Sequence, residues 1–313
     1  MAGNPPPRNS KRDFDATATD LDEDLSALSA ADKGGLMKRK SIAVLAILFV
    51  YLAIIVLPPL PDRLVLFPST RPLDAGGAAR RAIPFRDGEL EAWCARSEGA
   101  RRRGKADMFT LRFYGNADRA ERWAEPDAEM CGERAVEVWG VNYPGFGGSS
   151  GPSRLSTIGP SALRAFDAMK EVAGKRPIIV FGSSFGTVAA LHIAAERPVA
   201  GLVLHNPPAI REMILREFGW WNLWLLAGPC AARVPAALDS ISNARVTRAR
   251  AVFLLAENDE VVAPKYQALV MNAYAGEKRV ISLTGAGHNS PMEANAVSAL
   301  HASFDWLLRL NPE

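Results

Sequence analysis

"VFGSSFG", residues 180–186, sets two glycines and two serines directly after an apolar run. That run, "RPIIVF" (176–181), is short and continuous, as expected of a strand buried on both faces of a parallel sheet. The stretch "TVAALHIAAERP" (187–198) then reads as a helix. Gly182-Ser183-Ser184-Phe185-Gly186 therefore fits G-x-S-x-G between a strand and a helix. Glycines there permit a tight turn that lifts the Ser184 hydroxyl above the sheet edge. A serine at such a turn can also cap the helix. The strand before it and the helix after it favour a nucleophile.

Outward from this turn, strands are expected near 80–85 and 89–95, at 108–113, and within "RAVEVWGVNYPG" (134–145), "VAGLVLHN" (199–206), "RARAVFLLAEND" (248–259) and "KRVISLTGAGH" (278–288). Helical periodicity marks 117–132, where Pro126 should limit the helix, and 157–175, 265–276 and 294–310. Strands alternating with helices imply an α/β fold with a doubly wound, mainly parallel sheet. Ligands in such sheets sit at the carboxyl ends of the strands, so chemistry should lie just after strands.

A serine hydroxyl needs a base to take its proton and an acid to orient that base. Of four histidines, His192 and His301 fall inside helices and His205 ends a strand. His288 sits in the Gly-rich loop "TGAGHNS" after the last strand and is the expected general base. The acid is expected in "AENDEVVAP", where Asp259 stands at the point the loop must turn. The oxyanion needs two backbone N–H donors. Phe185, next to the serine, supplies one, and Asn116 in "FYGNADR" (113–119) the other. The loop "NYPGFGGSSG" (142–151) lacks dinucleotide-binding spacing and reads as a flexible border of the serine site.

The order Ser184, Asp259, His288, together with Tyr114-Gly115-Asn116-Ala117, "GSSFG", "YPGFGGSSG", "AENDEVV" and "GAGHNS", resembles the α/β-hydrolase superfamily over residues 80–309. The resemblance is nearest to its small membrane-anchored serine hydrolases, in which an H-G-N-A motif stands where this chain has Tyr114. It implies hydrolysis of esters, thioesters or small amides with neither metal nor organic cofactor, on a small-molecule or lipid-like acyl substrate. A serine peptidase or a non-catalytic hydrolase-like binding domain are the alternatives.

Residues 1–40 are rich in Pro, Ser, Ala and Asp and read as a disordered tail on the cytoplasmic side. Residues 41–60 carry no charge from Ile42 to Leu57 and read as an uncleaved transmembrane helix. Lys38, Arg39 and Lys40 before it place the N-terminus in the cytoplasm and the catalytic domain, 61–313, across the membrane.

The insertion at about 207–248 should form a small helical cap. Its aromatic stretch 218–226 is expected either to pack on the core, to line an acyl pocket or to face the membrane as a lid. Glu212 and Glu217 are candidates for holding a substrate amine. "ARRRGK" (100–105) reads as a hairpin turn. The net charge of +3 gives no argument for nucleic acid. The three cysteines lack zinc-site spacing, although Cys94 and Cys131 remain able to pair.

Overall fold

The structure, a computed structural model, describes residues 38–53, 60–222 and 224–309. The chain forms two compact units, Met1–Leu57 and Pro58–Glu313. In the first, the described residues form one helix, α1 (38–53), which takes in the lysines and arginine expected in the tail. Among the described residues no helix is long and apolar enough to cross a membrane. The expected tail at 1–37 and the end of the expected anchor at 54–59 lie outside the described residues.

The second unit begins with α2 (Leu60–Val65) and the hairpin β1 (Ala79–Phe85) and β2 (Gly88–Arg96). It continues through α3 (Glu98–Arg103), β3 (Met108–Phe113), α4 (Ala120–Met130), β4 (Val136–Val141), α5 (Leu155–Ala173), β5 (Ile178–Ser183), α6 (Gly186–Glu196) and β6 (Gly201–His205). The cap follows as α7 (Ile210–Phe218), α8 (Ala227–Ala232) and α9 (Ser240–Val246) with two 3-10 turns. After it come β7 (Ala251–Ala256), α10 (Pro264–Ala273), β8 (Lys278–Leu283) and α11 (Ala294–Leu307).

The described strands form one eight-stranded sheet in the order β1-β2-β4-β3-β5-β6-β7-β8. β2 runs antiparallel to both its neighbours, and every pairing from β4 to β8 is parallel. The doubly wound expectation is met by two cores. Residues of α5, α6, α9 and α10 pack with one face of the sheet. Residues of α4 and α11 pack with the other. Side chains such as Phe109, Trp139 and Phe253 are fully buried. Each such burial contributes on the order of 1.5–3 kcal/mol.

Local expectations fail in two places. Residues 98–103 are helical rather than a hairpin turn, because Ser97 accepts from Ala100 N and Gly104, at φ 68, closes the helix in the left-handed region. Pro126 lies inside α4 rather than ending it.

Candidate active site

Ser184 stands between β5 and α6 with φ 50, a left-handed conformation that is strained for a residue with a side chain. The turn is held from both sides. Ser184 N donates to the His205 carbonyl at 2.7 Å, and the Ser184 carbonyl accepts from Thr187 N at 2.9 Å and Thr187 Oγ1 at 2.7 Å. The flanking glycines are required by crowding. A Cβ on Gly182 would lie 2.4 Å from the Gly186 carbonyl oxygen, and one on Gly186 would lie 2.1 Å from that of Phe113.

β3 runs parallel to β5, with Phe113 opposite Gly182, and so delivers the 114–118 loop beside the serine. A Cβ on Gly115 would stand 3.6 Å from Ser184 Cβ. Asp118 N donates to the Gly115 carbonyl at 3.1 Å, closing a tight turn with Ala117 at φ 77. An alanine in that region costs about 1 kcal/mol. Among the described residues, neither Asn116 N–H nor Phe185 N–H has a protein acceptor.

Asp259 and His288 follow β7 and β8, and the structure joins them. His288 Nδ1 lies 2.9 Å from Asp259 Oδ1 and 2.8 Å from Oδ2. Asp259 Oδ1 also accepts from Val261 N at 2.9 Å and Val262 N at 2.7 Å, so its loop folds around the carboxylate. The side chain of Asp259 is 0% exposed and that of His288 10%. Among the described residues the ring bonds only to Asp259, and no hydrogen bond joins it to the Ser184 hydroxyl. Such contacts are often long until substrate arrives.

Two supporting residues escape a sequence reading. Gln267, buried on α10, donates Nε2 to Asp259 Oδ2 at 3.1 Å and to the Val262 carbonyl at 2.8 Å. Its only signal is a polar residue at an inward helical position beside Tyr266 and Val270. Asn206, at φ 50 after β6, accepts from Ala256 N at 2.9 Å and reaches the His288 carbonyl at 3.5 Å. It links the ends of β6 and β7 to the histidine loop, and no local pattern announces it.

Beneath the turn lies a buried charge cluster. Arg112 donates to Asp127 through Nε at 2.8 Å and Nη2 at 3.2 Å, and to Ser183 Oγ through Nη1 at 3.2 Å. Tyr114 donates to Asp127 Oδ2 at 2.8 Å, so the residue at the H-G-N-A-like position turns its hydroxyl into this cluster. Gly140 makes room for it, since a Cβ there would meet the phenol oxygen at 2.8 Å. Burial, then the charge of Asp127, pushes the phenol well above its ordinary value and keeps it protonated.

Among the described residues, none of the other histidines hydrogen-bonds to Asp259. His205 is held neutral, its value lowered to about 4 first by burial and then by the charges of Arg112 and His288. His192 is buried on α6, where burial lowers it too, and a Cβ on Gly159 would touch its ring. His301 packs near Phe304 on α11. All three cysteines are free, so the pairing left open for Cys94 and Cys131 is absent. Burial raises both thiols to about 12 and so suppresses their thiolates.

The Gly-rich loop does border the serine turn, with Tyr143 packed edge-on to Phe185 at 5.8 Å. It is pinned rather than free. Gly148 N and Asn142 Nδ2 donate to Glu91 Oε2 at 2.7 and 2.8 Å, and Gly147 N donates to the Ser69 carbonyl at 2.9 Å. Burial alone would raise the Glu91 carboxyl, but these bonds and that from Arg80 outweigh it and leave the group below its ordinary value.

In the cap, packing of the aromatic stretch on the core is overturned. Trp220 is 70% exposed and Trp221 59%, with Phe218, Trp224 and Leu225 also exposed. Leu223 lies outside the described residues. Glu217 accepts from Tyr266 Oη at 2.6 Å and pairs with Lys265 Nζ at 2.8 Å, so it ties the cap to α10 rather than standing open for an amine.

Residues 115–300 match the model of the Alpha/beta hydrolase family. An uncharacterized protein of Mycobacterium tuberculosis is 26% identical over 248 residues, covering 73% of this chain and 80% of its own. Among solved structures, an esterase of Pyrococcus furiosus superposes with a TM-score of 0.58 at 14% identity, over 78% of this chain and 98% of that one. An acylaminoacyl peptidase of Pyrococcus horikoshii does so with a TM-score of 0.56 at 12% identity, over 75% of this chain and 42% of its own. At these identities the two structures speak for the fold.

Proposed function

The chain belongs to the alpha/beta hydrolase family, and from that premise we propose that it is a serine hydrolase cleaving acyl esters or thioesters through an acyl-enzyme. The observation that carries this is the His288 ring held by the enclosed Asp259 carboxylate, at the strand ends where the strained Ser184 turn stands. His288 Nε2 takes the Ser184 proton as Oγ attacks the acyl carbon. The resulting oxyanion accepts hydrogen bonds from the Phe185 and Asn116 N–H groups, each contributing on the order of 3 kcal/mol. Collapse expels the alcohol or thiol, which receives the proton from His288. Water, deprotonated by the same ring, then attacks the acyl-enzyme and releases the acid.

The test is labelling by a fluorophosphonate probe, followed by acyl esters set against aminoacyl amides. Ser184→Ala should abolish labelling and lower turnover on the order of 10⁶-fold. Persistent labelling would move the nucleophile elsewhere, and faster cleavage of the amides would replace esterase by peptidase. His288→Ala should match the serine variant, whereas His192→Ala and His301→Ala should stay active.

The uncharged run Ile42–Leu57 behind Lys38–Lys40 supports a single-pass anchor with a cytoplasmic N-terminus and the catalytic domain on the far side. The exposed tryptophans of the cap suit a lid facing that membrane. A reporter active only in the cytoplasm, fused after Glu313, should be silent, and a fully active one would refute this topology.

A further inference from the structure

The segment from Asp62 to Arg71 belongs to no strand of the sheet, yet it is fastened at several points around the serine turn. Asp62 Oδ1 accepts from Leu155 N at 2.8 Å and so caps α5. Leu66 is buried in the main core. The Ser69 carbonyl accepts from Gly147 N at 2.9 Å and Arg119 Nη1 at 3.1 Å, and the Arg71 carbonyl accepts from Arg119 as well. Between these fastenings the segment meets the Asn116 side chain in both directions. Asn116 Oδ1 accepts from Phe67 N at 3.0 Å, and Asn116 Nδ2 donates to the Val65 carbonyl.

We propose that residues 62–71 are a strap whose backbone, gripped by the Asn116 carboxamide, holds the Asn116 N–H in line for the oxyanion. This rests on the serine-hydrolase reading above. Asn116 thereby has two jobs: its main-chain N–H faces the reaction, and its side chain is a positioning group that acts through that N–H. The turn needs such a grip because Ala117, the next residue, sits in a conformation alanine disfavours. A turn built on a strained residue relaxes when released, and a relaxed turn carries the donor away from the place where charge develops. The strap begins at Asp62, with residues 58–61 between it and the uncharged run ending at Leu57. The chain leading to the proposed anchor is thus the same chain that sets the oxyanion loop.

The experiment uses the full chain with a p-nitrophenyl ester, active sites being counted by burst titration. Native enzyme that burst-labels at Ser184 establishes the underlying reading, independently of the strap. Against it, Asn116→Ala should lower kcat per titrated site by about 10- to 100-fold with KM changed less than twofold, since misaligning a donor forfeits part of what deleting it would. Asn116→Asp keeps the acceptor for Phe67 N and should recover part of the loss. Phe67→Pro removes that N–H, and its effect should vanish in the Asn116→Ala background, where the contact it breaks is already gone. If Phe67→Pro fails to fold, the Asn116→Asp recovery decides. Native kcat per site in Asn116→Ala, equal losses in the Ala and Asp variants, or strict additivity with Phe67→Pro would each overturn the strap.

Discussion

Asp127→Asn probes the charge cluster under the serine turn. The side chains of Arg112 and Asp127 are 9% and 10% exposed, so little water reaches the pair. Asp127 receives two hydrogen bonds from Arg112 and one from Tyr114, and the guanidinium also lies 3.4 Å over the Phe181 ring. Burial disfavours the Arg112 cation, but the charge of Asp127 more than reverses this and raises its proton affinity. Asparagine keeps the volume and removes the charge, leaving an unpaired cation in the interior. Loss of one partner of a buried pair costs about 3–5 kcal/mol. At roughly 2–4 °C per kcal/mol in a domain of this size, Tm should fall by about 10 °C. Urea unfolding followed by tryptophan fluorescence measures the free-energy cost, and thermal unfolding the Tm. The triple variant Arg112→Met, Tyr114→Phe, Asp127→Leu, which also removes the phenol that would lose its acceptor, should recover most of the loss, since replacing a buried charged cluster by apolar groups is often near neutral. A cost below about 1 kcal/mol for Asp127→Asn would refute the argument, because it would mean the pair is hydrated.

His205 gives a pH prediction: folded, it takes up a proton only near pH 4, whereas unfolded it does so near 6.5. The unfolded state therefore binds more protons between these values, and stability falls as pH drops, by about 2 kcal/mol from pH 7.5 to pH 5. His205→Gln should flatten that part of the urea-measured slope, and an unchanged slope would refute it. Gln267→Leu, which removes a donor to Asp259, should lower kcat/KM about tenfold by steady-state assay at a stability cost of about 1–2 kcal/mol. Native kcat/KM would exclude Gln267 from holding the acid. Trp220→Ser and Trp221→Ser, at exposed positions, should each change stability by less than about 0.5 kcal/mol. A fall of several degrees in Tm would return these residues to the core.

The parts of the fold legible in the sequence are those whose physics is local. A short apolar run bounded by turn residues is a buried strand wherever it lies: β6 and β7 fall within the stretches expected of them, and β5 overlaps its own but runs on through Gly182 to Ser183. The serine turn is legible for the same reason: Gly182 and Gly186 are demanded by contacts within the same strand–turn–helix unit and its neighbour β3. The meeting of Asp259 with His288 is legible because a doubly wound sheet sends the loops after parallel strands to one edge. The helix at 98–103 escapes a sequence reading because the polar run "ARRRGK" does not itself carry the N-cap. The N-cap is Ser97, and what fixes Ser97 is the lead-in to the neighbouring strand β4, where its hydroxyl donates to the Arg134 carbonyl at 2.5 Å.

What was not legible depends on partners far apart in the chain. Asn116 looks like an ordinary turn residue until Phe67, 49 positions earlier, is found donating to its side chain. Glu91 looks like a surface carboxylate on an alternating strand until Gly148, 57 positions later, closes over it. Buried polar groups of this kind add little stability over apolar ones of the same size, because desolvation cancels most of the attraction. Their directionality is what an apolar contact lacks: a carboxamide that must satisfy both Val65 and Phe67 has one orientation. That explains the distribution seen here. The apolar cores fill the two faces of the sheet, and the directional contacts gather at the loops that carry Asn116, Asp259 and His288. Composition and periodicity report the first kind of contact and are blind to the second.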